Sequence, residues 1–78
     1  MTESYLLFAL NAEASAGRKT EVWHVCAARD GSRLGVIKWF GRWRQYAFFP
    51  EPGTVFNPEC LDAINEQIRT LMRRRRAA

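Results

Sequence analysis

Two glycine-bearing turn signals, Asp30-Gly31 and Gly41-Arg42, divide residues 20–50 into three apolar runs, and this punctuation constrains the fold more than any other feature. The first run, VWHVCAA from Val22, is β-branched and aromatic. The Asp-Gly after it is a favoured hairpin dipeptide because glycine takes positive φ without a Cβ clash. The second run, Leu34 to Phe40, ends at Gly41, whose position suits the first central residue of a two-residue type II′ turn. The third, Trp43 to Phe49, stops at Pro50, which has no N–H to give to a ladder. The expected core of the fold is a three-stranded antiparallel meander over residues 20–50.

A helix follows. Asn57 is a natural cap for free amides, and Pro58 fits the first helical position because its missing N–H costs nothing there. Glu59 and Asp62 sit near the positive end of the dipole, and Leu61, Ile64, Ile68 and Leu71 recur as one apolar stripe. The pattern predicts a helix from Pro58 to about Arg74, within a helical region 57–76 that carries a basic tail and frays towards its end. Residues 1–19 read as a variable N-terminal segment: residues 4–11 fit an extra strand or a short helix, and AEASAGRK over 12–19 reads as a linker or loop. The fold class is therefore α+β, with a three-stranded antiparallel sheet, and a fourth N-terminal strand as an option, packed on one C-terminal helix. At 78 residues the chain is expected to form a single domain, 1–78, with one core.

The composition is 47% hydrophobic, too apolar for a disordered chain. The formal charge of +4 is the contribution of Arg73, Arg74, Arg75 and Arg76, since residues 1–72 carry eight basic and eight acidic side chains. Within that balanced part, Arg18, Lys19, Arg29, Arg33, Lys38, Arg42 and Arg44 face only Glu21 and Asp30 between residues 18 and 44. The chain thus has a basic middle, and such a surface points to an acidic partner. Tyr5 to Leu10 is too short for a membrane span and lacks a basic n-region, so no membrane or targeting segment is expected.

Catalytic chemistry is thinly represented. His24 is the single histidine and reads as a satisfied structural residue; there is no carboxylate pair at a fixed spacing, no phosphate loop and no nucleophile elbow. Cys26 and Cys60 form no CxxC pair and read as small buried hydrophobes in a reducing setting, so neither a metal site nor a cofactor is expected. The expectation is a protein that is not an enzyme.

The unusual stretch is WFGRWRQYAFFP, residues 39–50, with six aromatic rings and two arginines around one glycine. If both turns are two-residue hairpins, alternation places Trp23, Val25, Ala27, Leu34, Val36, Phe40, Trp43, Ala47 and Phe49 on one face. Val22, His24, Cys26, Ile37, Trp39, Arg44, Tyr46 and Phe48 then fall on the other. One helix covers one face. The first is assigned to it because its aliphatic residues match the helical stripe; Trp39 then opposes Arg44 in a cation–π pair, and Phe40 opposes Trp43. The second face is left for a partner unless residues 5–10 cover it. Its aromatics and arginines, with Arg42 and the tail Arg73 to Arg76, suit either base stacking with phosphate contacts or a protein hot spot.

Residues 34–64, LGVIKWFGRWRQYAFFPEPGTVFNPECLDAI, resemble a family of short phage and prophage proteins. The shared stretch has the form G-x-I-K-W-x-G-x-W-R-x-Y-x-F-F-P, followed by T-x-F and a C-L that opens a helix. The resemblance covers the chain from Val22 onward and implies a viral or mobile-element origin. Small phage proteins of this kind act by binding, and anti-CRISPR proteins are one class of similar size. The order of strands and helix also resembles integrase arm-binding and ethylene-response DNA-binding domains, which read DNA with the sheet face opposite the helix.

These readings converge on a non-enzymatic, phage-derived binding protein, acting in the host cytoplasm by docking on a host protein or nucleoprotein complex. A CRISPR effector is its most concrete target, and Trp39, Arg42, Arg44, Tyr46, Arg73, Arg74, Arg75 and Arg76 are the expected contact residues. The alternative is a small DNA- or RNA-binding accessory protein using the same residues.

Overall fold

The computed structural model describes residues 5–77; residues 1–4 of the N-terminal segment and residue 78 lie outside the described part. Four strands form one antiparallel sheet in sequence order: β1 (Leu6–Leu10), β2 (Trp23–Ala27), β3 (Arg33–Phe40) and β4 (Gln45–Pro50). A one-turn helix, α1 (Ala12–Ser15), links β1 to β2, and the long helix α2 (Pro58–Ala77) packs on one face of the sheet. The optional fourth strand is present, and the α+β class holds.

Local chemistry accounts for the ends of the elements. Asn11 caps α1 by accepting from the Ala14 N–H at 3.0 Å, so the expected linker over 12–19 contains a helical turn. Asn57 caps α2 by accepting from the Cys60 N–H at 2.8 Å, as its position before proline predicted. The helix runs to Ala77 and includes all four terminal arginines, beyond the expected fraying at Arg74.

Both hairpin loops are longer than expected. Ala27 donates to the Ser32 carbonyl at 2.8 Å and encloses a four-residue loop with Gly31 at φ 76°. Phe40 pairs with Gln45 across residues 41–44, closed by Trp43 N–H to Phe40 O and Arg44 N–H to Gly41 O, each at 3.1 Å. The third strand therefore starts at Gln45 rather than Trp43. Lengthening a loop by two residues preserves the faces of β3 and β4.

The decisive departure is a bulge. The β2–β3 register steps from Val25 opposite Gly35 to Cys26 opposite Arg33, which leaves Leu34 without a β2 partner. One inserted residue inverts the relation between the faces of two strands. Trp23 and Val25 therefore share a face with Ile37, Trp39, Tyr46 and Phe48, rather than with Val36 and Phe40 as simple alternation implied. Strand β1 adds Leu6 and Phe8 to that face through their pairing with Ala27 and Val25.

This combined face is the one α2 covers. The buried hydrophobic core consists of Leu6, Val25, Ile37, Tyr46, Ile64 and Leu71, with Val25 and Ile37 fully buried. Burying each such aliphatic side chain contributes roughly 1.5–3 kcal/mol. The helical stripe is rotated relative to the expected one: Cys60, Ile64, Ile68, Leu71 and Met72 face the sheet, while Leu61 is 51% exposed. The assignment of Phe40, Trp43 and Phe49 to the core is thus corrected. They lie on the opposite face, where Phe40 stacks edge-on against Trp43 at 4.8 Å and Phe49 at 5.9 Å, and Lys38 Nζ sits 4.8 Å from the Phe49 ring centre.

Candidate functional site

The eight expected contact residues do not form one surface. Tyr46 is core: its ring is 5% exposed, and its hydroxyl accepts from the Glu21 backbone N–H at 3.0 Å. Trp39 lies beside it under the helix, edge-on at 5.5 Å. The expected cation–π contact to Trp39 exists, but Arg75 of α2 supplies it, 4.3 Å from the ring centre, and Arg44 does not. Arg44 follows the loop turn two residues before Tyr46, and it is Tyr46 that pairs with Trp39.

The arginine run is a folded part of the helix, and most of it is engaged. Arg73 pairs with Glu66 at 3.4 Å and donates to Thr70 Oγ1 at 3.1 Å. Arg74 reaches Glu21 at 3.6 Å, and the same carboxylate oxygen accepts from Trp23 Nε1 at 2.9 Å. These pairs are exposed and contribute little stability, but they dispose of two of the four charges. The i, i+1 geometry of a helix then aims Arg75 over Trp39 and leaves Arg76 on the neighbouring rim.

What the fold does bring together is a basic basin of about 440 Å³, lined by Lys19, Trp39, Arg44, Met72, Arg75 and Arg76. Its cations come from three places: the loop before β2, the β3–β4 loop and the end of α2. Trp39 and Met72 are its apolar members. Among the described residues none of the four cations is in an ion pair. Arg44 holds its position with a left-handed backbone, φ 55°, which costs an L-residue roughly 1 kcal/mol relative to glycine. Four unneutralised cations around an aromatic floor form a site that attracts an anion and excludes a second cation.

Of the expected contact residues the fold gathers Trp39, Arg44, Arg75 and Arg76 at the basin, with Trp39 on the helix-covered face rather than the open one, and it adds Lys19 and Met72, which sequence reasoning did not name. Lys19 carried a signal only as part of the basic excess over residues 18–44. Met72 follows Leu71 in the helical stripe and is half-buried. Arg42 is exposed in the β3–β4 loop, outside the basin.

Two other features bear on function. A second concavity of about 490 Å³ opens among Tyr5, Leu34, Val55, Phe56 and Cys60, and Arg29 is its single charged lining residue. On the sheet face away from α2, His24 aligns with Ala9 on one side and Val36 on the other. Its Nδ1 is buried with no hydrogen-bond partner among the described residues, so it is not the satisfied histidine that the sequence suggested. Both cysteines are half-buried and free. Among the described residues no cluster of three or more His, Cys, Asp or Glu side chains is placed to hold a metal, and no helix is long and apolar enough to cross a membrane.

The chain is thus a small α+β domain, a four-stranded antiparallel meander backed by one helix, with a cationic basin where the helix end meets the β3–β4 loop. It is 43% identical over 49 residues to an uncharacterized 9.3 kDa protein of Acholeplasma phage L2. The aligned part covers 62% of this chain and 63% of the phage protein, so the match spans under two thirds of that relative. The similarity supports a phage origin. No family model matches the chain, and no solved structure matches it.

Proposed function

We propose that this chain is a non-enzymatic, phage-derived binding protein that docks on a host nucleic-acid-processing complex in the host cytoplasm, with the basic basin as its contact surface. The observation that carries this reading is the convergence of Lys19, Arg44, Arg75 and Arg76 around Trp39 with no carboxylate among the lining residues. Charges gathered from three chain segments and left unpaired are costly to the free protein and become favourable against a polyanion. Inhibition of a CRISPR effector is the most concrete version, because such a complex displays nucleic acid and the chain's relative is a phage protein.

The test is capture from host lysate by the intact chain, compared with a Lys19→Glu/Arg76→Glu double variant. Both positions are exposed or half-exposed, so charge reversal leaves the core intact. Retention of a nucleic-acid-processing complex by the intact chain and its loss in the variant is the expected result. If the intact chain retains none, the docking reading fails.

Direct binding of free DNA or RNA is the second reading, and the same four-cation basin supports it. A salt titration separates the two. With up to four phosphate contacts, log affinity for single-stranded DNA should fall with log salt at a slope of about −3, weakened by Arg44→Ala. No affinity for free strands near physiological salt would leave complex docking alone.

A further inference from the structure

Side chains that line the basin offer hydrogen-bond donors almost exclusively. Lys19, Arg44, Arg75 and Arg76 have no acceptor atom, the Trp39 indole N–H only donates, and the Met72 thioether is at best a weak acceptor. A nucleobase edge or a polypeptide presents donors as well as acceptors, and those donors would be left unpaired against such a lining. A phosphodiester backbone presents oxygen acceptors and no N–H donors.

The floor of the basin points the same way. Trp39 would be the natural platform for stacking a base, but Arg75 already covers its ring at 4.3 Å. The aromatic partner of that ring is the buried Tyr46, edge-on at 5.5 Å. Stacking on an indole orients a guanidinium and reduces the rotamer freedom it loses when it binds, while leaving its planar fork of donors free for a bidentate oxyanion. Arg75 is also spared the carboxylate partners that occupy Arg73 and Arg74.

From these observations, and resting on the reading of the basin as a polyanion-docking site, we infer that it binds the phosphodiester backbone of nucleic acid without reading its bases, with Arg75, held by Trp39, as the phosphate fork. Trp39 is a positioning residue in this scheme. Its ring holds Arg75 and does not meet the ligand.

The experiment compares a short oligothymidylate with an abasic strand of equal length at low salt. A Trp43→Ala background is used because that exposed ring lies on the hairpin loop and could stack bases independently. The abasic strand should bind within about twofold, whereas a single stacked base would make a difference of roughly fivefold or more. Arg75→Lys, which keeps the charge and loses the fork, should weaken binding roughly tenfold, and Arg76→Lys should change it about twofold or less. Polyglutamate serves as the carboxylate control.

Loss of binding with the abasic strand overturns the inference, because bases are then read. Equal effects of Arg75→Lys and Arg76→Lys overturn the role of the stacked guanidinium. Polyglutamate binding as tight as oligothymidylate overturns the choice of phosphodiester while leaving an anion-docking basin. Absence of affinity for all three polymers overturns the polyanion reading of the basin itself.

Discussion

The hydroxyl of Tyr46 accepts a hydrogen bond from the backbone N–H of Glu21 at 3.0 Å, tying strand β4 to the segment that enters β2, across 25 residues of sequence. The Glu21 carboxylate holds Trp23 Nε1 and Arg74, so this one contact joins the sheet core to the end of the helix. The basin lies against this junction, sharing Lys19 and Arg75 with the cleft that contains Tyr46 and Glu21. Tyr46→Phe keeps the ring and removes the acceptor. It should cost about 1–2 kcal/mol in chemical denaturation, because the Glu21 N–H loses its partner in a partly buried site.

Gly35 and Gly41 should respond oppositely to alanine. A Cβ at Gly35 would lie 2.5 Å from Phe48 Cε1 and 2.7 Å from the Phe49 carbonyl oxygen, and the backbone atom cannot move aside cheaply. Gly35→Ala is expected to destabilise by about 1–3 kcal/mol. At Gly41 nothing lies within 4 Å and φ is not in the left-handed region, so Gly41→Ala should be neutral or stabilise by up to about 1 kcal/mol. Paired thermal melts check the contrast.

The face inversion predicts a large difference between adjacent residues of β3. Ile37 is fully buried under α2, whereas Val36 lies half-exposed on the far face, opposite His24 and Phe49. Ile37→Ala should cost about 2–5 kcal/mol, and Val36→Ala about 1 kcal/mol, measured by urea unfolding. Equal costs would contradict helix coverage of the Ile37 face.

Asp30 shapes the first hairpin loop. Its carboxylate accepts from the Ser32 N–H at 3.0 Å and the Ser32 hydroxyl at 2.8 Å, and the backbone bond is the main cause of a pKa lowered from the usual 3.8. A carboxyl whose folded pKa is depressed stabilises the fold above its unfolded pKa, and that stabilisation is lost as the pH falls through the folded value. Comparing the wild type with Asp30→Asn by denaturation at neutral pH and at successively lower pH below 4 should show the difference shrinking as acid is added. An NMR titration of the Asp30 side chain should place its midpoint below that of an unfolded peptide.

Much of the fold was legible because local rules suffice for it. The Asn57-Pro58 cap, the apolar stripe of α2, the strand composition and the turn glycines each act over a few residues, and each element appears in the order they set, although β4 starts two residues later, at Gln45, and α2 runs on to Ala77. Residues 4–11 were ambiguous because five strand residues and a short helix share the same apolar pattern, and pairing with β2 resolves that choice. The basin was visible only as an excess of basic residues over 18–44 together with an arginine run. Its members are separated by up to 57 positions, from Lys19 to Arg76, and no periodicity links them.

The amino-acid sequence alone determined that this is a one-core α+β domain with an antiparallel sheet, a capped C-terminal helix and a net positive charge supplied by its arginine run. Tertiary structure decided which sheet face is inside. The physical reason is the extra residue at Leu34: a bulge shifts the period-two alternation by one, so Trp23 and Val25 join Ile37, Trp39 and Tyr46 beneath α2. Leu34 has no signature that sets it apart from an ordinary strand residue, and strand pairing fixes its place. The helix that covers this face also carries Arg75 onto Trp39, which turns a half-buried aromatic into the floor of a cationic basin.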